Sequence, residues 1–271
     1  MKTSVLLFLT DILSEKRRLF NKIVKNKIFS ELPPKKAFLE MKNAGIEGIE
    51  VLLPGFETAQ DLQDLKVAMD AYDMKIYSVH QALRFLSRTR LPEIEKIFQT
   101  AKFLSAKVAV LHMNSAGKQV FDPYYIKKIH SLQDQYGIKA GFENMEKHAG
   151  SILNGVGWDQ KKFADLMEKN DFHITLDICH IGQSGGDIIK FIENHMDRII
   201  NIHLSDYKKN YLNNSLRPMR YKHMPLGKGQ LPINEFISLL KRKNYKGLLT
   251  LEIETNLDGI LESAAVIKTA S

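Results

Sequence analysis

Short, nearly unbroken apolar runs recur along this chain. Seven of them end on a side chain that can bind a metal or a proton: Glu50, His80, His112, Glu143, Asp177, His203 and Glu252. The runs return at intervals of about thirty residues, the length of one strand, one helix and two short connections. Their interiors are rich in Val, Ile, Leu and Phe, which suits strands buried on both faces of a parallel sheet. The pattern predicts strands over Val5–Leu9, Gly48–Leu53, Lys75–His80, Lys107–His112, Lys139–Glu143, Phe172–Asp177, Ile199–His203 and Leu248–Glu252. Between them apolar residues fall at helical spacing, as in Leu62, Leu65 and Met69, in Ile94, Ile97, Ala101 and Leu104, in Ile126, Ile129 and Leu132, and in Phe236, Leu239 and Leu240. Eight strands alternating with helices predict a single (β/α)8 barrel. No low-complexity stretch or Pro/Gly/Ser-rich linker divides the chain, so residues 1–271 are expected to form one domain.

Two segments exceed a minimal strand–helix unit. Residues 10–45 carry a basic helical stretch and then Pro33-Pro34, a break before a second helix. Residues 204–231 form a long connection after the seventh strand, and such a connection at a barrel mouth usually belongs to the active site.

Composition narrows the picture. Hydrophobic residues make up 44% and charged residues 26%, ordinary for a globular protein. The longest apolar runs, such as Val5–Leu9, fall far short of the roughly 18 residues that span a bilayer, so no membrane association is expected. The opening MKTSVLLFLTD has too short an apolar stretch for a signal peptide and no small-residue cleavage site; it reads as the first strand of a cytoplasmic protein. A single cysteine, Cys179, excludes an intramolecular disulfide and a Cys-based zinc site, and reads as a small filler at a strand end. The net charge of +8 is carried mostly by lysines on expected helix surfaces. One excess stands apart: Tyr207 to Lys228 holds Lys208, Lys209, Arg217, Arg220, Lys222 and Lys228 and no acidic residue. That run suits an anionic substrate group such as a phosphate.

In a barrel of this kind all strand C-termini meet at one mouth, so side chains two hundred positions apart converge. The pleat turns every second residue inward, and Asp177 and His203 each stand between apolar neighbours. Polar residues there need partners, because burial without one is costly. Three histidines and four carboxylates on successive strand ends point to a divalent-metal site.

The ordered motifs SVH (Ser78–His80), VLH (Val110–His112), FEN (Phe142–Asn144), LDICH (Leu176–His180), HLSD (His203–Asp206), H-x-P-L-G-K-G (His223–Gly229) and GLLTLEIE (Gly247–Glu254) resemble the xylose-isomerase-like barrel superfamily from about Ala44 to Ile253. That superfamily includes endonuclease IV, sugar isomerases and epimerases, and inosose-processing enzymes. The resemblance implies a core metal (Zn²⁺, Mn²⁺, Mg²⁺ or Co²⁺) held by Glu143, Asp177, His203 and Glu252. It implies that His80 and His112 hold a second ion or contact substrate. His180 and His223 match the third-zinc positions of endonuclease IV, but that site also needs an Asp where this chain has Tyr221. The Gly-x-His-x-Ser start of the nuclease branch is also absent.

Both departures favour the isomerase branch. There the resemblance implies proton transfer next to a sugar carbonyl through an enediolate, with Glu143 and Glu252 as acid and base and His180 orienting a substrate hydroxyl. The expected substrate is a sugar or sugar phosphate, contacted by His80, His112, His180, His223, Arg217 and Arg220. Glu50 reads either as a further substrate contact or as a residue bonded to a neighbouring strand. The alternatives are an endonuclease acting on abasic DNA, which the basic charge suits, and a polyol-ketone dehydratase.

Overall fold

In the computed structural model eight parallel strands pair in chain order and close into a barrel. The structure describes residues 1–13, 32–55, 57–81, 91–112, 122–146, 159–209 and 222–270. The strands are β1 (Lys2–Phe8), β2 (Gly48–Leu52), β3 (Lys75–His80), β4 (Val108–His112), β5 (Lys139–Glu143), β6 (His173–Asp177), β7 (Ile199–Leu204) and β8 (Leu248–Leu251). The helices are α1 (Leu9–Ile12), α2 (Pro34–Asn43), α3 (Ala59–Tyr72), α4 (Leu91–Phe103), α5 (Pro123–Tyr136), α6 (Gln160–Lys169), α7 (Ile178–Gln183), α8 (Ile188–His195), α9 (Ile233–Arg242) and α10 (Leu257–Thr269). Among the described residues no helix is long and apolar enough to cross a membrane.

The helix starts follow from local chemistry. Thr58 and Asp61 form a reciprocal capping box at α3. Asp122, Asp159, Asp187 and Asn256 accept first-turn N–H groups at α5, α6, α8 and α10. The apolar helical positions then pack on the barrel wall, where Phe38, Phe98, Phe142, Phe163, Phe172 and Phe236 are fully buried. The expected helical residues Leu65, Met69, Ile94, Ile97, Ala101, Ile129, Leu132, Phe236, Leu239 and Leu240 all belong to this core.

The barrel interior is layered by the pleat. Along β4 the inward residues are Val108, Val110 and His112, and the two valines pack with Tyr77 and Leu248 in a small apolar cluster of their own. Above it lies a layer of Ser4, Glu50, Ser78, Asn201 and Thr250, none with exposed surface. His80, His112, Glu143, Asp177, His203 and Glu252 form the mouth.

Only β3 and β5 have the expected bounds: β1 runs Lys2–Phe8 rather than Val5–Leu9, and each of the other strands differs by one residue at one end. Glu50 does not end its strand: Val51 and Leu52 continue it, and Leu52, not Glu50, is level with His80. Glu252 falls just beyond β8, although its N–H still donates to the Leu204 carbonyl at 3.2 Å. Ile178 opens α7 because the Asp177 side chain accepts the His180 N–H and caps that helix. The basic stretch expected in residues 14–29 lies outside the described residues.

After β7 the chain is shaped by Asp206. Its Oδ1 accepts from Tyr207 N (2.7 Å) and Leu231 N (3.1 Å), and its Oδ2 from Gly227 N (3.0 Å) and Gly229 N (2.8 Å). Gly229 is required there, since a Cβ would stand 2.2 Å from Asp206 Oδ1. Each amide bond to a carboxylate contributes about 1.5–3 kcal/mol. Asp206→Ala is therefore expected to lower the melting temperature by at least about 10 °C. A thermal melt checks this, and a change of only a few degrees would show that the carboxylate does not organise the segment.

Candidate metal centre and active site

The mouth is assembled around His203. Its Nδ1 lies 3.1 Å from Glu143 Oε1 and 2.8 Å from Glu252 Oε2. Glu143 Oε2 lies 3.3 Å from His80 Nε2 and 3.0 Å from His112 Nε2. Strands β3, β4, β5, β7 and the end of β8 thus bring one side chain each to a common point. Asp177 arrives from β6. Ligand-type atoms of Glu143, Asp177, His203 and Glu252 all lie within 4.8 Å of one another. Three further groups meet the same limit: His80 with His112 and Glu143, Asp177 with His180 and His223, and, deeper in the barrel, Glu50 with His80 and His203.

Backbone carbonyls and two side-chain amides hold these groups. Asn144 accepts the Asp177 N–H (2.7 Å) and donates Nδ2 to the Asp177 carbonyl (2.9 Å). His180 Nδ1 donates to the Asn144 carbonyl at 2.8 Å, which leaves Nε2 as the nitrogen available to substrate. His80 Nδ1 donates to the Gln81 carbonyl (2.9 Å), and Gln81 Oε1 accepts the His112 N–H (2.9 Å). His223 sits at a positive φ of 45° and meets Ser205 Oγ through Nδ1 at 3.3 Å.

The electrostatics follow from burial and crowding. Burial opposes ionisation of Glu143, but His203, His112 and His80 outweigh it and hold this carboxyl well below its ordinary value. Glu252 is likewise drawn down to about 2, against its burial, by His203 and His223. Burial raises Asp177, with the Glu252 and Glu143 charges adding to it. Burial disfavours the His203 imidazolium, yet Glu50, Glu252 and Glu143 together push it well above its ordinary value. His112 goes the other way, lowered by burial. Cys179 is raised to about 12, chiefly by burial, which suits a packed filler rather than a nucleophile.

The donor set fits a divalent cation. Among the described residues the buried Asp177 Oδ2 and Glu252 Oε2 meet only imidazole nitrogens, His180 Nδ1 at 3.3 Å and His203 Nδ1 at 2.8 Å, without hydrogen-bond geometry, and both belong to the same cluster. Three carboxylates and one imidazole make the mixed nitrogen and oxygen set that Mn²⁺, Mg²⁺, Co²⁺ or Zn²⁺ accepts.

Other candidates fall elsewhere. Glu50, read from the sequence as a possible substrate contact, has no exposed surface. It accepts from Ser78 Oγ on the neighbouring β3 (2.5 Å) and, across the barrel, from Asn201 Nδ2 on β7 (2.8 Å), one pleat below the mouth. Lys222, part of the basic run, pairs with Glu146 across the mouth, and Lys228 pairs with Glu262 at 3.2 Å on the surface. Arg217, Arg220 and Tyr221 lie outside the described residues. Sequence reading missed the supporting roles of Asn144 and Gln81 and the whole layer of Ser4, Ser78, Asn201 and Thr250. The signal was present: Ser78, Asn201 and Thr250 each stand two positions before a mouth residue.

Fold and site together define a (β/α)8 barrel with a histidine–carboxylate cluster at its C-terminal mouth. The family model described as xylose isomerase-like TIM barrel matches residues 38–270, and the chain belongs to that family. An inosose dehydratase from Clostridium perfringens is 26% identical over 246 residues, covering 79% of this chain and 80% of that protein. A D-allulose 3-epimerase from Methylomonas sp., solved in complex with D-allulose, has a TM-score of 0.64 at 15% identity, covering 88% of this chain and 91% of that one. An AP endonuclease, family 2, from Brucella melitensis has a TM-score of 0.64 at 14% identity, covering 96% and 97%.

Proposed function

We propose that this protein is a one-domain, divalent-metal-dependent isomerase or epimerase of a sugar or sugar phosphate, working by proton transfer at the carbon next to a carbonyl. One observation carries the reading. Glu143 on β5 and Glu252 after β8 approach the same His203 nitrogen, at 3.1 and 2.8 Å. A ketose lying between them would have one carboxylate to take a proton and another to return it. Glu143, Asp177, His203 and Glu252 would hold the ion, which when bound polarises the substrate carbonyl as a Lewis acid. His180, with Nδ1 committed to the Asn144 carbonyl, presents Nε2 to a substrate hydroxyl. His80, His112 and His223 line the remaining contacts, and Arg217 and Arg220 are the proposed groups for a substrate phosphate.

The test is incubation with a panel of ketoses and sugar phosphates in D₂O. Deuterium is expected at the exchanged carbon together with the isomerised product. Absence of exchange on every sugar, with efficient cleavage of an abasic-site duplex, would overturn the reading.

Two other reactions have support of their own. The relative named inosose dehydratase favours elimination of water after the same first proton abstraction, and it predicts loss of a hydroxyl in the product. The extra groupings of His80, His112 and Glu143, and of Asp177, His180 and His223, suit a multi-ion phosphodiesterase. The abasic-duplex assay separates that from sugar chemistry.

A further inference from the structure

Beneath the mouth, the polar layer runs as a directed chain of hydrogen bonds. Glu50 is an acceptor only, so Asn201 must face it with Nδ2, at 2.8 Å. That fixes Asn201 Oδ1 toward Thr250, whose hydroxyl donates to it at 2.8 Å. The Thr250 proton is then spent, and Ser4 Oγ, 2.9 Å away, donates to Thr250. From the other side Ser78 Oγ donates to the same Glu50 oxygen, Oε2, at 2.5 Å. Oε2 is thus occupied by donors. The other oxygen, Oε1, lies 2.9 Å from His203 Nε2, and among the described residues neither atom has a hydrogen-bond partner elsewhere. All these residues lack exposed surface.

We propose that Glu50 is a positioning residue that keeps a proton on His203 Nε2, so that Nδ1 presents its lone pair to the divalent ion at the mouth; this rests on the metal reading given above. The chemistry leaves little freedom. An imidazole that binds an ion through one nitrogen carries its proton on the other, and the acceptor of that proton sets tautomer and ring angle. Here the two nitrogens face opposite ways, Nδ1 to Glu143 and Glu252 and Nε2 to Glu50. A carboxylate buried in a barrel core is costly to retain, and an apolar residue of similar size would fill the space without that cost.

The layer also predicts what an isosteric change does. In Glu50→Gln, the new amide NH₂ cannot sit where Oε2 was, since it would oppose the Asn201 donor. It turns to His203 Nε2 instead and drives the ring proton to Nδ1, the atom the ion needs. Adding Asn201→Asp supplies an acceptor for that NH₂, lets the carbonyl of the new amide face His203 again, and restores the carboxylate count.

The experiment uses the full chain and Zn²⁺ alone, with affinity measured by chelator competition and folding checked by thermal melts. Glu50→Gln is expected to weaken Zn²⁺ binding by about 10- to 100-fold, and Glu50→Gln with Asn201→Asp to recover most of the loss. In the ¹⁵N-histidine spectrum of the Zn²⁺-loaded wild type, the His203 ring proton is expected on Nε2, strongly downfield, with the signal assigned by its absence in His203→Ala. Undiminished affinity in Glu50→Gln, a double variant no better than the single one, or a ring proton on Nδ1 in the loaded wild type would overturn the proposal. The last result needs no folded Glu50 variant. A wild type that takes up no divalent ion would overturn the metal reading itself and this proposal with it.

Discussion

Asp177→Ala is expected to remove most divalent-ion binding and the thermal stabilisation that comes with it. Asp177 is divided between two tasks. Oδ1 accepts the His180 N–H at 3.0 Å and caps α7. Oδ2 is buried, makes no hydrogen bond of good geometry among the described residues, and belongs to the cluster of Glu143, His203 and Glu252. Its carboxyl is raised by burial and by the Glu252 and Glu143 charges, so a cation among these groups offsets like-charge repulsion as well as desolvation. An ion present at a hundred times its dissociation constant stabilises the folded chain by about 2.7 kcal/mol. At roughly 2–4 °C per kcal/mol for a chain of this size, chelation of the wild type should lower the melting temperature by about 5–10 °C. In Asp177→Ala that chelator response should vanish, while Glu50→Ala should retain more of it, since Glu50 is outside the four-residue cluster and meets it through His203. An unchanged response in Asp177→Ala would remove this residue from the ligand set.

Much of the barrel could be read from the chain because a strand buried on both faces writes itself as an apolar run. The expected Lys75–His80 and Lys139–Glu143 are the observed bounds of β3 and β5. The mouth was legible for a related reason: a polar residue closing such a run has no other place to go. The same logic misleads at Glu50, which lies inside the expected Gly48–Leu53 strand and does not close it. Val51 and Leu52 carry β2 two residues further, and the carboxylate sinks into the middle layer. That layer is hard to read because Ser, Asn and Thr inside a strand look like ordinary interruptions until period two is counted back from His80, His203 and Glu252. The charge pattern puts Lys222 in an anion-binding run, yet it pairs with Glu146 from a different strand connection, a contact between distant loops that no local pattern encodes. The layer beneath the mouth shows what kind of information was missing: not which residues are polar, but which atom of each one faces which neighbour.

Glu143→Gln and Glu252→Gln are each expected to cut sugar turnover by about 10²- to 10⁴-fold, the span of a lost acid–base group. Each change keeps side-chain size and leaves one oxygen able to meet an ion, so proton transfer should suffer more than ion binding. Both carboxyls are held below their ordinary values, Glu252 at about 2, so both are ionised at neutral pH and either can start as the base. Their exposure separates them. The Glu252 side chain is 22% exposed and that of Glu143 only 3%. Glu252 therefore meets solvent, and a proton it takes from substrate should exchange with D₂O more readily than one held by Glu143 among His80, His112 and His203. Glu143→Gln should then still wash deuterium into one epimer without converting it, whereas Glu252→Gln should lose conversion and most of the exchange. Ion content measured on the same samples divides the outcomes: a variant that keeps its ion and loses turnover isolates the proton step, and one that keeps both would strike that glutamate from the acid–base pair.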